Sequence, residues 1–165
     1  MNKGKSGISF ATSNTTTESA SIFRGYVSCN SVLHSDEGEY SNNGERHISG
    51  GHGQTSIDYL EKNQIDYEIN KEYNNGVRVG NILNSKQKYS RSGNNHTWFP
   101  KEWSIADIRE AGELITSKYS NQKIKDGEKR TITFKNVKVV GIYNKGEITT
   151  LFPHKNQNGG VKYDK

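Results

Sequence analysis

Residues 131–153 read TITFKNVKVVGIYNKGEITTLFP. Thr131-Ile132-Thr133-Phe134 alternates polar and apolar, Val137 to Tyr143 is largely apolar, and Glu147 to Phe152 alternates again. Period-two alternation is what a strand with one face on a core requires, because successive side chains leave opposite faces. Asn144-Lys145-Gly146 supplies a hairpin turn between the last two runs. Pro153 ends the sheet, since it has no N–H for a ladder. This third of the chain is therefore expected to be a three-stranded antiparallel meander.

Upstream the periodicity changes. Residues 104–117 form the strongest helix signal. Ser104 is a natural N-cap with Asp107 three residues on, an acidic variant of the capping box. Ile105, Ile108, Ala111 and Ile115 fall on one stripe, broadened by Leu114 and weakened slightly by Gly112. Trp98, Phe99 and Trp103 read as core aromatics before it. Further back, 65–73 and 77–83 are expected to pair across Asn74-Asn75-Gly76, an Asn-Gly turn that supplies positive-φ positions. Thr55 to Asn63 reads as an amphipathic helix capped by Thr55 or Ser56. The class is α+β: a helix and hairpin part followed by an antiparallel sheet. After Pro153, the polar tail 154–165 is expected to fray.

The chain before residue 42 differs in character. Residues 1–21 are rich in Ser, Thr and Asn and read as a polar lead-in or linker. Ile22 to Leu33 is more apolar and is expected to pair as a strand. We place the boundary near Asn42-Asn43-Gly44, with 1–41 ordered in part at most and 42–165 as the domain.

Composition narrows the function. The chain is 30% hydrophobic with mean hydropathy −0.95, which leaves a modest core for 165 residues. Cys29 is the sole cysteine, so no internal disulfide forms. No run has the length of a membrane span. The net charge is +5, and the excess lies late: residues 1–40 hold three bases against four acids, the remainder twenty against fourteen. A basic domain suits a polyanion, nucleic acid before an acidic membrane.

The chemistry is expected near Arg46-His47-Ile48-Ser49-Gly50-Gly51-His52-Gly53-Gln54. Five is a poor helical spacing and the glycines favour a loop, so both imidazoles are expected to converge on one point. One imidazole taking a proton while another gives one is the need of phosphodiester cleavage near neutral pH. A solvated glycine-rich turn is the competing interpretation. A metal site is the third, but no second His, Cys or Asp pair stands at ligand spacing, so no metal or other cofactor is expected. Residues 84–97 carry Lys86, Lys88 and Arg91 around Tyr89, either a solvated loop or a flexible strip that holds phosphates.

Three segments together resemble bacterial EndoU-type ribonuclease domains, found as C-terminal toxin modules of polymorphic and contact-dependent inhibition proteins. They are His47 to Gly53, Phe99-Pro100-Lys101-Glu102-Trp103-Ser104 with its helix, and Gly146 to Pro153; the resemblance covers roughly residues 42–154. It implies the fold group shared with barnase-like and RelE-like ribonucleases, and an active site against an antiparallel sheet. His47 and His52 match the family's catalytic histidines, with acid and base roles unassigned. Thr150 matches a phosphate- or base-contacting threonine, and Phe152 stands where the family usually has tyrosine, losing a hydroxyl but keeping a stacking face. Lys101 and His96 are near-equal candidates for the additional catalytic residue, with Lys88 behind them. Thr149, Thr97, Lys88 and Arg91 join Phe152 as expected substrate contacts. The implied activity is metal-independent RNA cleavage, with tRNA the expected substrate, by 2′-hydroxyl attack leaving a 2′,3′-cyclic phosphate. The implied partners are RNA and a cognate immunity protein, for an otherwise monomeric domain delivered from a bacterial surface protein into a target-cell cytoplasm. A non-catalytic RNA-binding module of the same fold is the alternative.

Overall fold

The computed structural model describes residues 25–165, so the lead-in 1–21 and the first residues of the expected 22–33 strand lie outside them. The order is α1 (Cys29–Asp36), β1 (Glu39–Tyr40), β2 (His47–Ser49), α2 (Gln54–Lys62), β3 (Tyr67–Tyr73), β4 (Arg78–Ile82), a 3₁₀ turn (Lys88–Arg91), β5 (His96–Trp98), α3 (Ile105–Lys118), β6 (Lys129–Phe134), β7 (Val137–Asn144), β8 (Glu147–Pro153) and β9 (Val161–Asp164). The α+β class stands.

The meander forms as its alternation requires. β6, β7 and β8 make one antiparallel sheet, with Lys145 and Gly146 both at positive φ in the last turn. A second sheet runs β5-β4-β3-β9, and β1 pairs with β2 in a small ribbon. In the β3–β4 turn only Gly76 takes positive φ; Asn75 instead accepts the Val77 N–H through its side chain. The two larger sheets meet where β5 lies against β8, and the Thr97 hydroxyl donates to the Pro153 carbonyl at 2.7 Å.

Helix α3 covers the meander. Its capping box is complete, with the Asp107 side chain and the Ser104 side chain each bonded to the other's backbone N–H. Ile108, Ala111 and Ile115 are fully buried, and a buried Ile stabilises by roughly 1.5–3 kcal/mol. Ile105 departs from the expected stripe and lies 37% exposed at the helix start. Gly112 is more than a weak helix former, because a Cβ there would crowd Leu151 and Val27. Phe99 and Trp103 stack in this same core, whereas Trp98 joins Ile57, Leu60, Ile65 and Ile82 under α2.

Three expectations fail. Residues 29–36 form a helix, not a strand, because Ser28 caps it by accepting the Ser31 N–H. The ordered part allowed within 1–41 includes Val27 and Val32, which sit in the main core. The tail also does not simply fray. Residues 161–164 add to the free edge of β3, aided by ion pairs Lys71–Asp164 and Lys162–Glu72. The expected cap of α2 is likewise displaced, since Gly53 is its N-cap and donates no side-chain bond.

Candidate active site

The loop after β2 is built to hold His52. Gly50 and Gly51 take φ of 65° and 76°, and a Cβ on Gly50 would overlap the His34 carbonyl. That turn lays residues 51–53 beside the end of α1. Gly51 N–H donates to His34 O at 3.0 Å, His52 N–H to Ser35 O at 2.6 Å, and Gly53 N–H to Asp36 O at 3.0 Å. From the other side Phe99 N–H donates to His52 O at 2.6 Å. Ser35 completes the mount, its hydroxyl accepting the Leu151 N–H of β8 at 2.8 Å. The Asp36 carboxylate sits at the start of α2 with Thr55, where the helix dipole favours an anion. Burial nevertheless pushes its carboxyl upward, and one of its oxygens has no partner. A Cβ on Gly53 would overlap that carboxylate.

The three central imidazoles lie side by side but have different surroundings. His52 stacks on His96 at 4.6 Å with planes 9° apart, and His96 meets His47 edge-on at 5.5 Å. His47 is 1% exposed; its Nε2–H donates to Gly50 O at 2.8 Å and its Nδ1 accepts from Ser85 Oγ at 2.7 Å. His96, also 1% exposed, donates from Nε2 to Gly51 O and accepts at Nδ1 from Ser90 Oγ. Each has both nitrogens occupied inside the protein. His52 differs. Its Nδ1–H donates to Thr97 O at 2.7 Å, which fixes the tautomer and leaves Nε2 as a lone pair without a bond among the described residues. Burial depresses all three: His47 below its ordinary value, His52 to about 3, and His96 well below. All three are therefore neutral imidazoles at pH 7.

His52 opens onto a cavity of about 720 Å³ between the two larger sheets, which His34, Thr97, Thr150, Phe152 and Lys129 also line. His34 comes from α1. Its Nδ1 bonds Glu39 Oε1 at 3.1 Å, while Ser49 Oγ donates to the other carboxylate oxygen at 3.2 Å. With Nδ1–H given to the carboxylate, Nε2 is left near Gly50 on the cavity wall. Phe152 tilts against His52 at 5.4 Å, and Lys129 Nζ lies 5.8 Å from the Phe152 ring centre. Lys155 is a second cation on this wall, donating to Asn95 Oδ1 at 3.2 Å.

The expected residues therefore divide. The structure brings together His52, Thr150, Phe152 and Thr97, the last through its carbonyl on His52. His47 and His52 do come together, both against the His96 ring, but they do not share the cavity: His47 starts β2 and turns toward Ser85, and only His52 lines the cavity. His96 backs His52 without reaching the cavity, and Lys101 is exposed after Pro100, off the cavity wall. Thr149 bonds the Ile142 carbonyl on the other face of β8 from Thr150. Lys88 and Arg91 are exposed beside the cavity without lining it. Sequence reasoning missed His34, Lys129 and Lys155. Among the described residues no three His, Cys, Asp or Glu side chains group as a metal ion would need, and no helix is long and apolar enough to cross a membrane.

Residues 30–155 match the family described as bacterial EndoU nuclease, which covers most of the chain. No curated protein and no solved structure gives a match.

Proposed function

We propose that this chain, which belongs to the bacterial EndoU nuclease family, is a metal-independent endoribonuclease toxin in which His52 and His34 act as the base and acid of a transesterification. The observation that carries this assignment is the unequal bonding of the imidazoles. His52 alone of the stacked set offers a neutral Nε2 to a cavity, and His34 lines the same cavity with a carboxylate behind it.

In this scheme His52 Nε2 takes the proton of a ribose 2′-hydroxyl as that oxygen attacks the adjacent phosphorus. The P–O5′ bond breaks, and His34 Nε2 gives its proton to the leaving O5′. The products are a 2′,3′-cyclic phosphate and a 5′-hydroxyl. Glu39 orients the His34 ring by bonding its Nδ1, which leaves Nε2 toward the cavity for the acid role. Thr150 and the cations Lys129 and Lys155 stabilise charge on the phosphoryl oxygens. The need for a 2′-hydroxyl confines the substrate to RNA. His47 and His96 serve as buried struts, and Lys101 yields its expected role to the cavity lysines.

The chain's net charge of +5 supports a polyanionic substrate, with tRNA the leading candidate. The toxin role, delivery into a target cell and a cognate immunity protein follow from the resemblance of the three motifs. An acidic surface on that partner would complement a cleft holding Lys129 and Lys155. Phe152 lacks the hydroxyl its position usually carries, which favours the RNA-binding module as the second candidate. Purified protein incubated with total tRNA, with and without EDTA, decides between them. EDTA-insensitive cutting with cyclic phosphate ends is expected. RNA retention without any cleavage, across tRNA and other RNAs, would establish the binding module instead.

A further inference from the structure

The basic strip after β4 is not a free loop. Residues 84–91 are clamped by the two buried histidines that do not reach the cavity. His47 N–H donates to Asn84 O at 3.1 Å, Lys86 N–H donates to His47 O at 2.8 Å, and Ser85 Oγ binds the His47 ring while accepting Gln87 N–H at 3.1 Å. At the far end Ser90, fully buried, bonds the His96 ring. Between these clamps the chain makes one 3₁₀ turn, Lys88–Arg91, and this turn holds Tyr89 on the cavity rim.

Tyr89 is 56% exposed although it is a large aromatic on an anchored segment. Among the described residues its ring meets no other ring and its hydroxyl has no hydrogen-bond partner. Single exposed apolar residues are ordinary. This one is distinguished by position: it shares the cavity with His52 and Phe152, and exposed Lys88 and Arg91 flank it on the same turn. An aromatic face with cations on either side, pre-set by buried bonds, is the arrangement that binds single-stranded nucleic acid, stacking a base while the cations track phosphates.

We propose that Tyr89 is the platform for a nucleobase adjacent to the scissile phosphate, a second base subsite distinct from Phe152, in single-stranded RNA. The proposal rests on the ribonuclease function above. The strip then binds its substrate with an already ordered surface, so little is lost in ordering it.

The test compares wild type, Tyr89→Ala and Tyr89→Phe on a short oligoribonucleotide spanning a mapped cleavage site, and on two versions abasic at the nucleotide either side. Stacking on an aromatic is worth about 1–3 kcal/mol per base, so Tyr89→Ala is expected to lower kcat/KM on the intact oligonucleotide by about 5- to 150-fold. Tyr89→Phe should keep the wild-type value. One abasic version should cost the wild type the same factor and cost Tyr89→Ala nothing further. Thermal melting checks that all three proteins fold alike. A Tyr89→Ala protein that cuts at the wild-type rate, or loses the same factor again on both abasic versions, overturns the subsite alone. A wild type that cuts no RNA overturns the ribonuclease function and the subsite with it.

Discussion

Lowering the pH from 7 to 5.5 is expected to weaken the fold through His52 and His96. Both are buried and held neutral, His52 at about 3 and His96 well below its ordinary value, so neither takes a proton in the folded state over this range. In the unfolded chain each titrates near 6.5 and is mostly protonated by pH 5.5. The unfolded state thus binds more protons, and stability present above pH 6.5 is lost as the pH falls toward the folded values. The loss is roughly 1 kcal/mol per histidine between pH 7 and 5.5, or roughly 2 to 3 kcal/mol for the pair. For a domain of this size that lowers the melting temperature by about 8 °C. His47, lowered by burial, adds in the same direction. Asp36 works against it, because its raised carboxyl gains a proton more readily in the fold than in the unfolded chain. Calorimetry or urea titration at the two pH values measures the sum. The control is His96→Gln, which keeps a donor for the Gly51 carbonyl and removes one titrating ring, so its pH dependence should fall by about half. An unchanged melting temperature between pH 7 and 5.5, or an equal slope in His96→Gln, would refute this account of the buried imidazoles.

Three other outcomes are expected. Gly53→Ala should push Asp36 off the start of α2 and loosen the His52 mount, costing about 1–3 kcal/mol as other overpacking changes do and lowering kcat; urea unfolding and single-turnover cleavage measure the two effects. Ser104→Ala should cost about 1 kcal/mol in the same unfolding experiment and leave cleavage untouched, since it removes only the cap of α3. Lys129→Ala should reduce kcat/KM by at least tenfold, about 1.4 kcal/mol of lost charge stabilisation, whereas Lys101→Ala should stay near wild type; parallel rate measurements separate the lysines.

What was legible in the sequence is what local chemistry dictates. The meander 131–153 and helix α3 follow from period-two and helical patterns, closed by a turn and a capping box that act within a few residues. Helix α1 was hidden because its stability comes from Val32 in the core and from Ser35 on β8, the latter a contact with a residue 116 positions away. β9 was hidden for a similar reason. It carries no buried residue of its own and forms because β3 presents a free edge.

The site divides on the same principle. His52 was visible as one of two imidazoles in a glycine-rich loop, and Thr150 and Phe152 only through the resemblance carried by the 146–153 segment. His47 and His52 looked equivalent, because no pattern in the loop reveals that Ser85, thirty-eight residues later, occupies the His47 ring. His34 lies on another element and reaches the cavity only through the three backbone bonds that join residues 34–36 to 51–53. Lys129 and Lys155 were two among twenty-three bases until the sheets placed them on one wall.

The most direct test of the central claim is the single-turnover rate of His34→Ala beside His52→Ala, each checked for folding by melting. Both are expected to lose about 10²- to 10⁴-fold in kcat, the range for removing one general acid or base. His34→Ala cutting RNA within a few-fold of wild type would contradict the His34–His52 pair, whatever became of His52→Ala.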